Sequence, residues 1–492
     1  MTKRINSILT HFETRSSYQI IILMAITLLA AILRFYKLGE WSFWIDEIAT
    51  INRAQAHANI ETIINQWWQP PLSLILIDGA LDTLGINEWS ARLVPAVIGI
   101  LSIPLLYFPI KKLFGPAVAL IAVLLLAVSP WHLYWSQNAR FYTSLMLLYA
   151  LASFAFFVGI EEDRPWYILG FFLLLFLAVG ERVIAFVLVP VVICYLFLLK
   201  ILPFEQPPGL RTRNLLLLLL PGIIFAIHEV YGFVTNGYVF LAHTIDTIVG
   251  YPNHGPFRLL LAIIYRISLP LTCLGFFGGL YLLKERKRTG LFAFSAAVAP
   301  PLLLLLVAPF TFTVDRYVFE TLPFWAILSA VTIEKIFGRT EQYEKLLPLG
   351  VLLLVLATSL SQNMLYYEFQ NGDRPDWRGA FALVRQRKGD TDLVAATRPG
   401  LGYYYLNDKV RSINSLDPDT IELKSNIIWF IIDEATGGVK PDLEQWIREN
   451  GKLVDIRDVY QPGKSLSIRI YRYDPAETRS SVFHTVQDTS PP

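Results

Sequence analysis

The sequence predicts a mainly α-helical, polytopic membrane protein with a small C-terminal α/β domain. Of the 492 residues, 54% are hydrophobic and only 17% are charged, and the mean hydropathy is +0.47. A soluble globular chain carries roughly 25% charged residues. The composition changes near Tyr366, where charges become dense and apolar runs shorten to strand length. A single water-soluble domain and a disordered chain are therefore excluded.

About eleven apolar segments are candidate membrane spans. The first runs from about Tyr18 to Leu33, and because no small-residue cleavage site follows, it is expected to be a retained helix rather than a signal peptide. A helix needs about 20 apolar residues to cross the hydrocarbon core. The other candidates lie near 92–110, 116–130, 141–160, 165–180, 183–199, 214–232, 259–283, 290–310, 317–333 and 346–362. The apolar segment 70–81 is too short to span, and it is expected to be re-entrant or interfacial.

Basic residues in the short loops predict the orientation of these spans. With the N-terminus in the cytoplasm, the ends of the even-numbered spans all place their basic residues on the cytoplasmic side. These residues are Lys111, Lys112, Arg164, Lys200, Arg211, Arg213, Lys284, Arg286, Lys287, Arg288, Lys335, Arg339 and Lys345. The opposite loops hold mostly single arginines. An odd number of spans then places the C-terminus outside the cell.

The chain is expected to divide into three parts. Residues 1–364 form the transmembrane domain, with an outer loop at 37–91. Residues 365–477 form a soluble extracytoplasmic domain, in which strand-like runs alternate with helical segments, as in a small α/β fold. The strand-like runs are near 392–396, 425–432 and 465–473, and the helical segments are near 377–387 and 442–450. Residues 478–492 are expected to be a disordered tail.

Composition also limits the partners. The net charge of +2 gives no indication of a nucleic-acid surface. The only two cysteines, Cys194 and Cys273, both lie in apolar runs, which excludes a disulfide framework and a cysteine-ligated zinc site.

Several charged residues fall on the predicted outer side, where ionisable groups near a membrane are functional candidates by default. Asp46 and Glu47 lie in the first outer loop, and Arg140 and Arg316 lie in later ones. A carboxylate can act as a general base, and the planar guanidinium of arginine suits a phosphate. Aromatic residues surround these charges, among them Trp44, Tyr142 and Tyr317, which are candidate substrate contacts.

Each of these features also has a purely structural interpretation. Asp46 and Glu47 can complement a helix dipole at its N-terminus. Single arginines can extend toward the membrane interface, and tryptophans can form an interfacial aromatic belt. His132 is interpreted as a packed residue rather than a metal ligand.

Four segments, in this order, resemble the GT-C polyprenyl-phosphate-dependent glycosyltransferases. The similarity is greatest to bacterial relatives of protein O-mannosyltransferases and lipid A aminoarabinose transferases, a family 39-like group. The segments are the Asp46-Glu47 pair after the first span, Gln69-Pro-Pro-Leu72, Arg92-Leu-Val-Pro95 followed by Ser136-Gln-Asn-Ala-Arg140-Phe-Tyr142, and Arg316-Tyr317 with Pro323. The segment Arg374-Pro-Asp-Trp377-Arg378 also resembles the start of the soluble outer domain in that family.

The resemblance implies a GT-C fold in the bacterial plasma membrane and inverting sugar transfer from a polyprenyl-phosphate donor to a hydroxyl at its outer face. It implies that Asp46 is the catalytic base and that Glu47 supports Asp46 or orients the acceptor. Arg140 and Arg316 would bind the donor phosphate, assisted by Tyr317. The acceptor, whether protein, lipid A, another glycolipid or cell-wall glycan, stays open, and so does the sugar.

Three positions depart from the family pattern. Gln69 stands where relatives often carry His or Lys, so it brings no charge to the phosphate and is expected to bind a hydroxyl or phosphate oxygen. Asn138 stands where Glu is common, which argues against a tightly bound metal, although Asp46 and Glu47 remain able to hold a divalent cation weakly. Arg182 stands near the usual Thr-His-Tyr position, either as a substitute phosphate contact or in an ion pair with Glu181.

Two other classes of function compete with the transferase. A transporter or flippase of lipid-linked saccharides would use the same arginines and aromatics without catalysis, but transporters usually show internal repeats and broken helices at the midplane. The sequence shows no repeat. A sensor would need neither the many spans nor the acidic pair in the first loop.

Overall fold

The computed structural model describes residues 16–56, 71–211, 214–219, 255–339, 346–418, 426–434, 438–461 and 465–476, together with residues 227, 231, 234 and 421. The chain divides into two compact units. The first comprises Met1–Tyr36, His57–Ala80 and Arg92–Asn363, and the second comprises Lys37–Ala56, Leu81–Ala91 and Met364–Pro492. Residues 37–56, which follow the first apolar helix in sequence, thus pack with the C-terminal residues.

The first unit is built almost entirely from apolar helices. They are Ser16–Phe35, Leu72–Leu84, Glu88–Phe114, Pro116–Val128, Pro130–Ser136, Tyr142–Glu161, Pro165–Glu181, Leu188–Ile201, Pro256–Ile267, Leu269–Lys284, Arg288–Val307, Leu322–Arg339 and Leu346–Glu368. One end of each of the helices Leu72–Leu84, Glu88–Phe114 and Leu346–Glu368 belongs to the second unit. Short 3₁₀ segments cover Val183–Val187 and Asp315–Thr321. The predicted helical membrane fold is confirmed.

Within the described part of the chain, six helices are long and apolar enough to cross a membrane, or up to eight if each of two bent pairs forms one span. The helix Tyr142–Glu161 is the most enclosed of them, with 83% of its apolar window buried. Its 20 residues correspond to about 30 Å, the thickness of a hydrocarbon core. The predicted span at 214–232 lies mostly outside the described residues.

Two pairs of apolar helices meet at a bend, and in each pair a proline follows the break. Pro116–Val128 and Pro130–Ser136 meet at 60°, and Pro256–Ile267 and Leu269–Lys284 meet at 93°. Ser268 has a φ of +83° and accepts a hydrogen bond from the amide of Leu271 at 3.4 Å. Because Pro270 has no N–H and restricts the residue before it, one continuous helix is disfavoured there. The predicted span at 259–283 is therefore a bent pair of helices, whereas the predicted span at 116–130 ends at the first bend.

Ion pairs join helix ends in the first unit. The guanidinium of Arg288 binds both carboxylate oxygens of Glu161, at 2.8 and 2.7 Å. The ammonium of Lys112 lies 2.6 Å from the carboxylate of Glu162. The ends of Glu88–Phe114 and Tyr142–Glu161 and the start of Arg288–Val307 therefore lie at one end of the bundle.

The second unit contains a five-stranded sheet with the order β2-β1-β3-β5-β4. The strands are β1 (Leu393–Ala396), β2 (Arg411–Ser412), β3 (Ile428–Asp433), β4 (Lys452–Arg457) and β5 (Ile468–Tyr473). β1 is parallel to β2 and β3, whereas β5 is antiparallel to β3 and β4. The helices Trp377–Arg387, Gly400–Tyr405 and Pro441–Asn450 belong to the same unit.

The central strand β3 is buried along its whole length, as its unbroken apolar run Ile-Trp-Phe-Ile-Ile requires. Its residues pack with Leu443 and Ile447 of the helix Pro441–Asn450. The side chain of Trp429 is 2% exposed and donates a hydrogen bond to Asp392 at 2.8 Å. Trp429 is therefore a core residue.

Candidate functional site

Asp46 and Glu47 lie in the first turn of the helix Ile45–Ala56 and differ in exposure. Asp46 is half-buried, whereas Glu47 is completely buried. The backbone amide of Trp44, the residue before the helix, donates to Glu47 Oε2 at 3.3 Å. A glutamate at the third helical position commonly accepts a hydrogen bond from the N–H of the residue just before the helix in this way. Glu47 thus fixes the helix start, while Asp46 remains reachable.

A second buried charge accompanies Glu47. Arg374 Nε lies 3.7 Å from Glu47 Oε2, and the two side chains are 1% and 0% exposed. Removing one partner of such a pair leaves an uncompensated buried charge and typically costs about 3–5 kcal/mol. Sequence reasoning gave Arg374 no role, although its Arg-Pro-Asp-Trp-Arg segment stood out and was the available signal.

Two of the predicted phosphate ligands share one aromatic ring in the first unit. The guanidinium carbons of Arg140 and Arg182 lie 5.0 and 5.6 Å from the ring centroid of Phe141. They are therefore within about 11 Å of each other, the sum of those two distances. Cations are favoured over the face of an aromatic ring. Arg140 precedes the helix Tyr142–Glu161, and Arg182 ends Pro165–Glu181.

The alternative ion pair between Arg182 and Glu181 is not formed. Glu181 is buried and instead accepts hydrogen bonds from the Ser73 amide at 2.9 Å and the Ser73 hydroxyl at 2.5 Å. Arg182 is exposed, and within the described ranges no carboxylate lies within ion-pair distance of it. Ser73 thus binds the carboxylate of Glu181, and the side chain of Arg182 lies over Phe141 instead of pairing with Glu181.

Arg316 and Tyr317 are half-buried residues of the 3₁₀ segment Asp315–Thr321. Asp315 anchors this segment, since Arg266 Nε donates to its Oδ2 at 2.8 Å and the Arg316 amide donates to its Oδ1 at 2.9 Å. Phe319 packs edge-on against Trp131, with ring centroids 5.1 Å apart.

The segment also packs against the helix Tyr142–Glu161. That helix is the one that Arg140 precedes in sequence. Arg316 and Arg140 therefore belong to neighbouring elements.

The remaining predicted site residues have mixed placements. Tyr142 is 3% exposed and packs on Trp135 with ring centroids 3.9 Å apart, so it acts in packing here. Trp44 is half-buried at the helix start. Gln69 lies outside the described residues. Asn138 is buried, and its amide donates to the Tyr134 carbonyl at 2.7 Å.

The packed role expected for His132 agrees with its full burial beside Arg34 and Ser102. Among the residues that the structure describes, no three His, Cys, Asp or Glu side chains form a candidate metal cluster.

Residues 68–228 match the family model described as dolichyl-phosphate-mannose-protein mannosyltransferase. The matched range contains Arg140 and Arg182 and ends before the second bent helix pair. No curated protein matches the chain in a sequence search.

Solved structures match over nearly the whole chain. ArnT from Cupriavidus metallidurans in the apo state is 14% identical, covers 94% of this chain and 99% of its own, and gives a TM-score of 0.57. The same protein bound to undecaprenyl phosphate is 14% identical, covers 93% and 98%, and gives 0.56. The apo oligosaccharyltransferase of Archaeoglobus fulgidus is 12% identical, covers 93% of this chain and 74% of its own, and gives 0.59.

At these identities the structural matches establish the fold, and they extend to both units of the chain. The predicted family resemblance is confirmed by the family model together with this fold. The chain is thus a polytopic membrane protein with the GT-C glycosyltransferase fold.

Proposed function

We propose that the protein transfers a sugar from a polyprenyl-phosphate donor to a hydroxyl acceptor, with inversion at the anomeric carbon. The observation that carries this proposal is the pair of guanidinium groups, Arg140 and Arg182, over Phe141 in a bundle with the GT-C fold. Planar guanidiniums match phosphate oxygens with two parallel hydrogen bonds. The solved ArnT structure with undecaprenyl phosphate, and that of archaeal AglB with a dolichol-phosphate, support a lipid phosphate as the ligand.

Asp46 acts as the general base. Its carboxylate takes the proton of the acceptor hydroxyl as that oxygen attacks the anomeric carbon, and the bond from that carbon to the phosphate oxygen breaks. A neutral hydroxyl is a poor nucleophile, and a positioned base typically contributes roughly 10²–10⁴-fold in rate. The half-buried position of Asp46, one residue from a fully buried neighbour, leaves a carboxylate that a substrate can reach.

Arg140, Arg182 and Arg316 stabilise the negative charge that builds up on the departing polyprenyl phosphate. Fixed cations aimed at a developing charge act mostly in the transition state. Tyr317 and Gln69 supply neutral hydrogen-bonding groups to the phosphate or sugar, and Trp44 supplies an aromatic surface.

Glu47 and Arg374 act as positioning residues. They hold the first helical turn in place, so that Asp46 keeps one orientation. We place the protein in the bacterial plasma membrane, with a cytoplasmic N-terminus and an extracytoplasmic C-terminal region, as the distribution of basic residues predicts.

The test is an Asp46→Asn variant supplied with a radiolabelled polyprenyl-phosphate sugar in membranes that contain the acceptor. Transfer is expected to fall roughly 10²–10⁴-fold, because the amide cannot take a proton. Asp82→Asn, an exposed acid of the same unit, is the matched control and should keep parental transfer. Parental transfer by Asp46→Asn would remove Asp46 from the role of base.

The two bent helix pairs favour one alternative, a transporter of lipid-linked saccharides, since transporters use broken helices. A transporter would move the lipid-linked sugar between leaflets at the same rate in Asp46→Asn and in the parent, and it would leave the sugar–phosphate bond intact. Measuring bond cleavage and translocation on the same vesicles separates the two functions.

A further inference from the structure

The second unit contains a cavity of about 250 Å³. Its walls include three aromatic side chains and three charged ones: Phe43, Tyr404, Tyr405, Glu88, Arg378 and Arg385. Drug-sized ligands occupy pockets of roughly 300–1,000 Å³. This cavity is smaller, and it suits a single ring-sized group with polar edges.

One carboxylate in the cavity is held rigidly. Glu88 is 8% exposed, and its Oε1 accepts hydrogen bonds from the Tyr405 hydroxyl at 2.7 Å and from Arg378 Nε at 3.2 Å. Within the described ranges, its other oxygen, Oε2, has no hydrogen-bond partner. A fixed carboxylate with one available oxygen can accept a hydrogen bond from a ligand hydroxyl.

Donors and an aromatic surface complete the cavity. Arg378 also donates to the Gly39 carbonyl at 3.0 Å, and Arg385 donates to the Tyr405 carbonyl. Both guanidiniums are thereby oriented by backbone oxygens. The ring of Tyr404 is half-buried and lies edge-on to Phe43, with centroids 5.8 Å apart. Burial, with a smaller contribution from Tyr403, raises the pKa of Tyr404, so its phenol stays protonated.

The cavity is connected to the helix that carries Asp46. The backbone amide of Phe43 donates to the Tyr405 hydroxyl at 2.6 Å, and Phe43 stands two residues before that helix. The Tyr404 hydroxyl donates to Asn52 Oδ1, in the third turn of the same helix, at 2.7 Å. A ligand in this cavity therefore touches residues that fix the helix bearing the proposed base.

We propose that this cavity binds a saccharide ring of the acceptor, and hence that the acceptor hydroxyl belongs to a glycan or glycolipid rather than to a protein side chain. A sugar ring presents hydroxyls at its edge, which pair with a carboxylate and guanidiniums. It also presents an apolar face, which packs on an aromatic ring. This inference rests on the proposed function, because only a transferase needs an acceptor.

The binding experiment uses the full-length protein in lipid nanodiscs and saturation-transfer NMR. The probes are methyl α-mannoside, methyl β-galactoside and methyl β-N-acetylglucosaminide at millimolar concentration, with sorbitol as an acyclic polyol. At least one glycoside, but not sorbitol, should receive saturation. The signal should fall about fivefold in Tyr404→Ala and in Glu88→Gln. It should persist in Tyr404→Phe, which keeps the ring, and in Tyr460→Ala, an exposed tyrosine elsewhere in the same unit.

Equal signals from sorbitol and the glycosides, or parental signals in Tyr404→Ala and Glu88→Gln, would overturn the site. So would the absence of signal from all three glycosides. Because Tyr404→Phe reports on folding with the ring retained, a loss confined to Tyr404→Ala is assigned to the missing ring.

A transfer arm separates this inference from the proposed function. Labelled donor is offered with maltotriose, a free glycan, with dodecyl maltoside, a glycolipid headgroup, or with a serine-containing peptide. Transfer to either saccharide but not to the peptide supports the inference, and the preferred saccharide identifies the source. Transfer to the peptide that is unchanged in Tyr404→Ala overturns it and leaves the proposed function standing. Glycoside binding without cleavage of any donor supports the site and overturns the proposed function.

Discussion

The helix Tyr142–Glu161 runs between two ends of the bundle at which the arginines have different partners. At its C-terminal end, Arg288 binds both oxygens of Glu161, and the two side chains are 26% and 18% exposed. At its N-terminal end, Arg140 and Arg182 lie over the ring of Phe141. The first arrangement balances each charge within the protein. The second places two cations against one aromatic face, where we propose that they bind the donor phosphate.

The acidic side chains differ in the same way. Glu161 neutralises an arginine, whereas Glu181 binds Ser73 and leaves Arg182 to extend over Phe141. An acidic residue next to an arginine in the sequence therefore does not by itself predict an ion pair between them. The backbone at the end of the helix Pro165–Glu181 turns the two side chains apart, because Arg182 is extended, with φ −164° and ψ 137°.

The largest effect is expected from removing both cations over Phe141. In an Arg140→Ala, Arg182→Ala double variant, kcat/KM for the polyprenyl-phosphate donor should fall roughly 10²–10³-fold, because the charge that develops on the phosphate would lose the two cations proposed to stabilise it. Steady-state kinetics in nanodiscs measure this. A loss of less than about threefold would show that the two ends do not differ in function.

An intermediate effect is expected from Arg182→Lys. Lysine keeps the charge but lacks the planar fork that binds two phosphate oxygens. We expect kcat/KM to fall about three- to tenfold, less than in Arg182→Ala. Comparing the two variants under the same conditions separates charge from geometry, and identical losses would indicate that the fork itself is required.

The smallest effect on turnover is expected from Arg288→Ala. Its loss removes a bidentate pair and should lower the unfolding temperature by a few degrees, corresponding to about 1–2 kcal/mol. Transfer per folded molecule should stay within about twofold of the parent. Thermal unfolding in detergent and kinetics on the same preparation check both statements. A large loss of turnover with an unchanged unfolding temperature would show that Arg288 is a functional cation and would contradict the assignment of that role to Arg140 and Arg182.

Much of the helical architecture follows from sequence, because membrane spans are long apolar runs. The predicted segment 141–160 coincides with the helix Tyr142–Glu161, and the predicted helix at 377–387 coincides with Trp377–Arg387. The bend at Ser268 was not predicted, because the apolar run 259–283 continues through it. Ser268 before Leu269-Pro270 was a readable signal for this bend.

The candidate site was only partly predictable. Asp46 and Glu47 were identified as a pair, yet nothing local to that pair distinguishes the half-buried acid from the one that Arg374 meets across more than 300 residues. The sharing of Phe141 by Arg140 and Arg182 also depends on how two helices pack. The cavity beside Tyr404 and Glu88 likewise requires segments that are distant in sequence. Long-range packing decides all three.

The most direct test of the difference between the two ends is the binding of undecaprenyl phosphate itself, measured by native mass spectrometry on the parent and two variants. We predict that the Arg140→Ala, Arg182→Ala double variant binds the lipid at least about tenfold more weakly, because the two cations that we propose bind its phosphate are lost. We predict that Arg288→Ala binds it as the parent does. Equal affinity in all three proteins, or weaker binding in Arg288→Ala alone, would contradict the assignment of the lipid phosphate to the arginines over Phe141.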